Sequence, residues 1–120
     1  MQRFYPEGHL FDSPENRAAM RSPRTLDDAL SNGQIIEAQA IVCDASHSLT
    51  VDLGCMKGII PRCEGNIGIS DGSVRDIALI SRVGKAVCFI VKNIEIDKEG
   101  NPVAILSRAK AQKLACAYGY

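Results

Sequence analysis

Tryptophan is absent, and Phe, Trp and Tyr together make up only 5% of the 120 residues. Few flat rings are therefore available for stacking on nucleobases. Charge of either sign is not in excess, with 14 Lys and Arg against 14 Asp and Glu. Proteins that grip many phosphates through charge alone carry a surplus of Lys and Arg, so composition speaks against a strong general nucleic-acid binder. No uncharged run approaches the roughly 18 apolar residues of a membrane span, and the start MQRFYPEGHL has no signal-peptide core. The expectation is a cytoplasmic chain with no membrane partner. Cys-x-x-Cys pairs are also missing. Cys43, Cys55, Cys63, Cys88 and Cys116 are an odd number at wide spacings, which supports neither structural zinc nor a secreted disulfide framework and reads as reduced thiols used for packing.

What is present is the material of one folded domain. Hydrophobic residues make up 46% and charged residues 23% of the chain, far from the composition of disorder. Residues 1–32 hold three of the five prolines and read as an N-terminal extension with short helices. Ser13-Pro14-Glu15 is a helix start running to about Arg21. Thr25-Leu26-Asp27-Asp28 is a second start, with Thr25 as cap, Asp28 completing a box-like arrangement and Gly33 as stop.

From Gly33 onward the period becomes two. Ile36, Ala38, Ala40 and Val42 read as the buried face of a first strand, and Leu49, Val51 and Leu53 as that of a second, with Thr50 and Asp52 outward. Gly54 and Gly58 bracket a turn before Ile59-Ile60-Pro61, a short third strand with a proline at its end. A turn-rich loop from Asn66 leads to a helix capped by Ser73 and ending near Gly84. Lys85 to Ile96 is a fourth strand with Val87, Phe89 and Val91 on one face, and Asp97 to Asn101 turns it into a fifth, Pro102 to Leu106. Ser107 then caps a basic C-terminal helix, with Gly119 near its end. Five short strands with a helix between the third and fourth predict an all-β fold, an OB-type Greek-key barrel with short helices.

Four segments carry a resemblance to a known family. They are Gly33-Gln34-Ile35-Ile36-Glu37-Ala38; Val51-Asp52-Leu53-Gly54 with Lys57-Gly58-Ile59-Ile60-Pro61; Val83-Gly84-Lys85-Ala86-Val87; and Ile96-Asp97 with Ile105-Leu106-Ser107-Arg108. In order and separation they resemble the S1-type RNA-binding domain named after the multi-repeat ribosomal protein. The likeness covers residues 33–108, leaving residues 109–120 as a C-terminal basic helix. It implies a five-stranded OB barrel, single-stranded RNA as partner, possible association with the ribosome or RNA-processing proteins, and a bacterial setting in translation or RNA metabolism.

Carried over one position at a time, the family's RNA-binding surface is only partly kept. Its two aromatic positions fall on His47, which can still stack as an imidazole, and Thr50, which cannot. Its histidine falls on Pro61, its acid on Asp97, which is retained, and its basic residue on Asn101. Two missing rings, at about 1–3 kcal/mol each, predict weak binding by a single domain. Net charge divides as minus two over residues 33–107 and plus three over residues 108–120. The expected RNA contacts are therefore His47, Thr50, Lys57, Arg62, Asp97 and Asn101 around the sheet face, with Arg108, Lys110 and Lys113 on phosphates. Lys57 shares the outward parity of Pro61, and Lys110 and Lys113 share a helix face. A second reading keeps the barrel but makes it a protein-interaction domain that has lost the stacking surface.

No enzyme is expected. Cys43, Asp44 and His47 have the residue types of a nucleophilic trio, but they lie in a strand-to-strand turn with no oxyanion site, where turn capping explains them. Gly65-Asn66-Ile67-Gly68 lacks the following Gly-Lys-Ser/Thr of a phosphate loop. Without paired acids or a metal-ligand cluster, no cofactor and no metal are expected.

Overall fold

The structure, a computed structural model, describes residues 13–66, 69, 72, 75 and 77–118, apart from the side chains of residues 78 and 115–118. Two helices, α1 (Pro14–Ala19) and α2 (Pro23–Asn32), lead into strands β1 (Ile36–Cys43), β2 (Leu49–Asp52) and β3 (Lys57–Ile60). A 3-10 turn at Arg62–Glu64 and a single helical turn, α3 (Ile77–Ile80), precede β4 (Ala86–Ile96), β5 (Pro102–Ser107) and a final helix, α4 (Arg108–Tyr118).

The strands close into a barrel in the order β1-β2-β3-β5-β4, with β4 returning to β1. Neighbours are antiparallel except β3 and β5, which run parallel with Ile59 opposite Ile105. This is the OB-type Greek-key order, and closure leaves no long edge strand among the described residues. The interior is filled by the expected alternating residues: Ile36, Ala38 and Ala40 of β1, Leu49 and Val51 of β2 with Leu53 just beyond it, and Val87, Phe89 and Val91 of β4. Each large side chain contributes on the order of 1.5–3 kcal/mol through burial. Gly58 sits where β3 passes under the core, and a Cβ there would lie 2.6 Å from Leu106 Cδ1. Close packing of the wall, rather than backbone conformation, requires this glycine.

The first helix begins as expected at Ser13, whose side chain accepts from the Asn16 N–H. The second starts earlier than expected. Ser22, not Thr25, is its cap, because Pro23 suits the first helical position and Thr25 returns the bond as the other half of a capping box. Gly33 ends it in the left-handed region at φ 63°.

Alternation along β1 fails at its far end. A bulge between Ala40 and Val42 turns both Ile41 and Val42 outward, 53% and 47% exposed, where Val42 was expected inside. Glu37, on the outward parity, is fully buried because α1 covers it. Asn16 donates from Nδ2 to the Glu37 carbonyl at 2.8 Å and accepts from the Glu37 N–H at 2.6 Å. The expected cap Ser73 and the stop Gly119 lie outside the described residues. Instead of a helix reaching Arg82, the chain forms turns over residues 81–84 after α3.

Candidate nucleic-acid interface

The outer face of the barrel is organised by cross-strand register. Val42, Thr50, Ile59, Ile105 and Asn93 stand side by side on β1, β2, β3, β5 and β4 in one row. Thr50, Ile59 and Ile105 are half-buried, and Val42 and Asn93 are exposed. The helices pack elsewhere, with α1 on β1, α2 on β4, and α4 on β4 and the 3-10 turn. The row is a short aliphatic strip of Val42, Ile59 and Ile105 with a hydroxyl at Thr50 and an amide at Asn93.

Lys57, Asp97 and Asn101 come together beside the row, Lys57 standing two residues before Ile59 on β3. They line a recess of about 360 Å³ with Cys55, Met56, Glu99, Pro102 and Val103. Asp97 Oδ1 accepts from the N–H groups of Glu99 and Asn101, both at 2.9 Å, so this carboxylate shapes the β4–β5 turn. Asn101 closes the same turn by accepting at its carbonyl from the Asp97 N–H. Lys57 thus has two acids, Asp97 and Glu99, in its recess and Asp52 opposite it on β2. Burial pushes the Cys55 thiol up, leaving it a neutral packing group.

His47 lies apart from that recess. It occupies the β1–β2 turn at φ 61° and lines a different hollow, of about 490 Å³, with Val42, Cys43, Asp44, Ala45, Ile80 and Val83. Asp44 Oδ1 accepts from the N–H groups of Ser46 at 2.9 Å and Ser48 at 3.0 Å. Asp44 is thereby a turn-forming side chain of the same kind as Asp97.

The basic residues of the C-terminal helix divide. Arg108 is 6% exposed, and its Nη1 donates to the Gly65 carbonyl at 3.0 Å and to Asn66 Oδ1 at 2.6 Å. Gln112 Nε2 donates to the same Asn66 oxygen at 2.6 Å. The expectation of Arg108 on a phosphate is corrected accordingly, because its guanidinium pins the loop after the 3-10 turn to α4. Lys110 and Lys113, by contrast, are exposed on one side of α4 while Ala111 is buried. Arg62 is exposed on the 3-10 turn.

The pattern of the sequence gave no notice that Lys92 meets Glu64. Lys92 lies on the outward parity of β4, and a bulge between Val91 and Asn93 turns Asn93 outward beside it. Lys92 Nζ then stands 3.1 Å from Glu64 Oε1. Ser107 Oγ donates to Glu64 Oε2 and also accepts from the Lys110 N–H at 3.0 Å, capping α4. Burial works to raise the Glu64 pKa, but the hydrogen bonds from Ser107 and Lys92 and the charges of Lys92 and Lys110 outweigh it and hold the carboxyl below its ordinary value. Among the described residues, no group of three or more His, Cys, Asp or Glu could hold a metal ion, and no helix is long and apolar enough to cross a membrane.

No protein-family model matches the chain, and no curated protein matches it. Among solved structures, the solution structure of GSP13 from Bacillus subtilis is similar at 22% identity and a TM-score of 0.49, over 67% of this chain and 56% of that one. The present chain therefore corresponds to little more than half of that protein's length.

Proposed function

We propose that this chain is a non-catalytic, S1-like module that binds single-stranded RNA weakly, acting in the cytoplasm in translation or RNA metabolism. The observation that carries the reading is the outer face of β2 and β3, which keeps Thr50 and Ile59 half-exposed between the β1–β2 and β4–β5 turns. In OB barrels those strands and those two turns form the surface that receives oligonucleotides. Bases would lie against the strip of Thr50, Ile59 and Ile105, with Lys57 and Asn101 at one end and the exposed lysines of α4 at the other. Without rings, apolar contact replaces stacking, and affinity falls below that of a surface with aromatic platforms. An NMR titration of the labelled chain with a single-stranded RNA tests this directly. Shifts concentrated at Thr50, Lys57, Ile59 and Asn101 support it, and no shifts at millimolar RNA reject it.

A second reading, a protein-interaction domain, is favoured by one specific observation. Val42, Ile80 and Val83 are exposed apolar side chains that line the hollow beside His47, and Ile41 and Ile77 are exposed as well. Under that reading, RNA leaves the face unperturbed and the apolar hollow is where a partner protein binds.

A further inference from the structure

Cationic side chains are unevenly placed around the proposed RNA face. At the Lys57 end, Asp52 stands opposite Lys57 on β2 and Asp97 and Glu99 line its recess, so three acids accompany Lys57 and Lys98 there. The opposite end, where β3 runs into the 3-10 turn and β5 into α4, gathers Lys92, Lys110 and Lys113. The acid paired with Lys92 there is Glu64, and Lys110 lies close enough for its charge to act on the same carboxylate. The Lys92 and Glu64 side chains are 34% and 21% exposed, so the pair meets solvent and can exchange partners. A partly exposed ion pair is screened by solvent on its open side and gives up its partner more readily than a fully buried one.

We propose that Lys92, Lys110 and Lys113 form a phosphate track for the RNA backbone, and that Glu64 occupies the first phosphate position in the ligand-free protein. A carboxylate and a phosphate are both oxyanions that accept from an ammonium at similar distances, so a phosphate can take the place of Glu64 Oε1 on Lys92. Glu64 keeps its bond from Ser107 through its other oxygen and stays anchored when Lys92 is released. The displaced acid costs some affinity, and the RNA must approach from the sheet side, since Lys92 projects next to Asn93 in the outward row. The track continues the strip of Thr50, Ile59 and Ile105 toward α4, and Arg108 has no part in it.

This inference rests on the RNA reading above. It is tested with the full chain and a fluorescein-labelled oligouridylate of twelve nucleotides, followed by anisotropy between 50 and 200 mM salt. Lys92→Gln is expected to weaken binding about threefold or more at the lowest salt and to reduce the salt slope by about 0.7, the contribution of one phosphate contact on a single strand. Lys113→Gln is expected to act in the same direction, and Glu64→Gln to tighten binding by a similar factor. Because Glu64→Gln also touches the Ser107 contact, its thermal melt is recorded alongside, and the exposed Lys92→Gln and Lys113→Gln variants carry the test if it unfolds. Wild-type binding with unchanged affinity and slope in both lysine variants overturns the inference and leaves the RNA reading standing. No wild-type binding at 50 mM salt overturns both.

Discussion

The side chain of Asn16 pairs with the backbone of Glu37 as a neighbouring strand would, giving one bond and receiving one across 21 residues of sequence. The extension before the barrel is thereby tied to β1, and Leu26 and Ala29 of α2 join the same hydrophobic core. Asn16→Ala leaves a buried N–H and a buried carbonyl without that partner, which is expected to cost about 2–3 kcal/mol. Urea denaturation of the variant beside the wild type measures it. A loss below about 0.5 kcal/mol would show that the helices are not coupled to the barrel in this way.

Gly58→Ala places a methyl group against Leu106 Cδ1 and within 3.2 Å of Leu53 Cδ1. Overpacking of this kind costs about 1–3 kcal/mol. Combining it with Leu106→Val is expected to recover part of the loss, because the clashing δ-methyl is removed. Simple additivity of the two costs would mean that the wall relaxes without Leu106.

Arg108 and Lys113 offer a controlled contrast on one helix. Arg108→Gln removes a buried guanidinium from Gly65 and Asn66 and is expected to lower stability by about 2 kcal/mol. Lys113→Gln is expected to leave stability within about 0.5 kcal/mol while reducing the salt dependence of RNA binding. Thermal melts and anisotropy on both variants separate anchoring from phosphate contact.

Glu64 sets an acid limb of stability. A carboxyl whose folded pKa lies below its unfolded value, about 4.3, stabilises the fold above that value. The contribution is lost as pH falls through the lower folded pKa. The melting temperatures of wild type and Glu64→Gln are therefore expected to differ most near neutrality and to converge as pH falls through the lowered carboxyl pKa. A gap that widens on acidification would contradict the sign of this contribution.

Much of the barrel was legible because alternation is a local signal. Leu49-Thr50-Val51-Asp52-Leu53 assigns its own inside and outside, and Val87, Phe89 and Val91 do the same for β4. The misreadings arise where distant partners decide. Val42 is turned outward by one bulge and Asn93 by another, against the parity of Val87, Phe89 and Val91, and bulges depend on how two strands pair and not on either strand alone. Glu37 is buried by Asn16, and Arg108 by a loop 42 residues earlier, so neither carries a local mark of burial. The same limit applied to the site. The family positions located Asp97 and Asn101, and strand parity with Pro61 added Lys57; the three share a recess, whereas the meeting of Lys92 with Glu64 needed the closed barrel and α4 together.

The most direct measurement is the salt dependence of single-stranded RNA binding by the wild-type chain, read by anisotropy between 50 and 200 mM salt. Saturable, weak binding whose logarithmic slope is about −2, as three lysine contacts on a single strand require, is the expected result. Absence of saturable binding at 50 mM salt, or binding that is indifferent to salt, would contradict an RNA interface of this design.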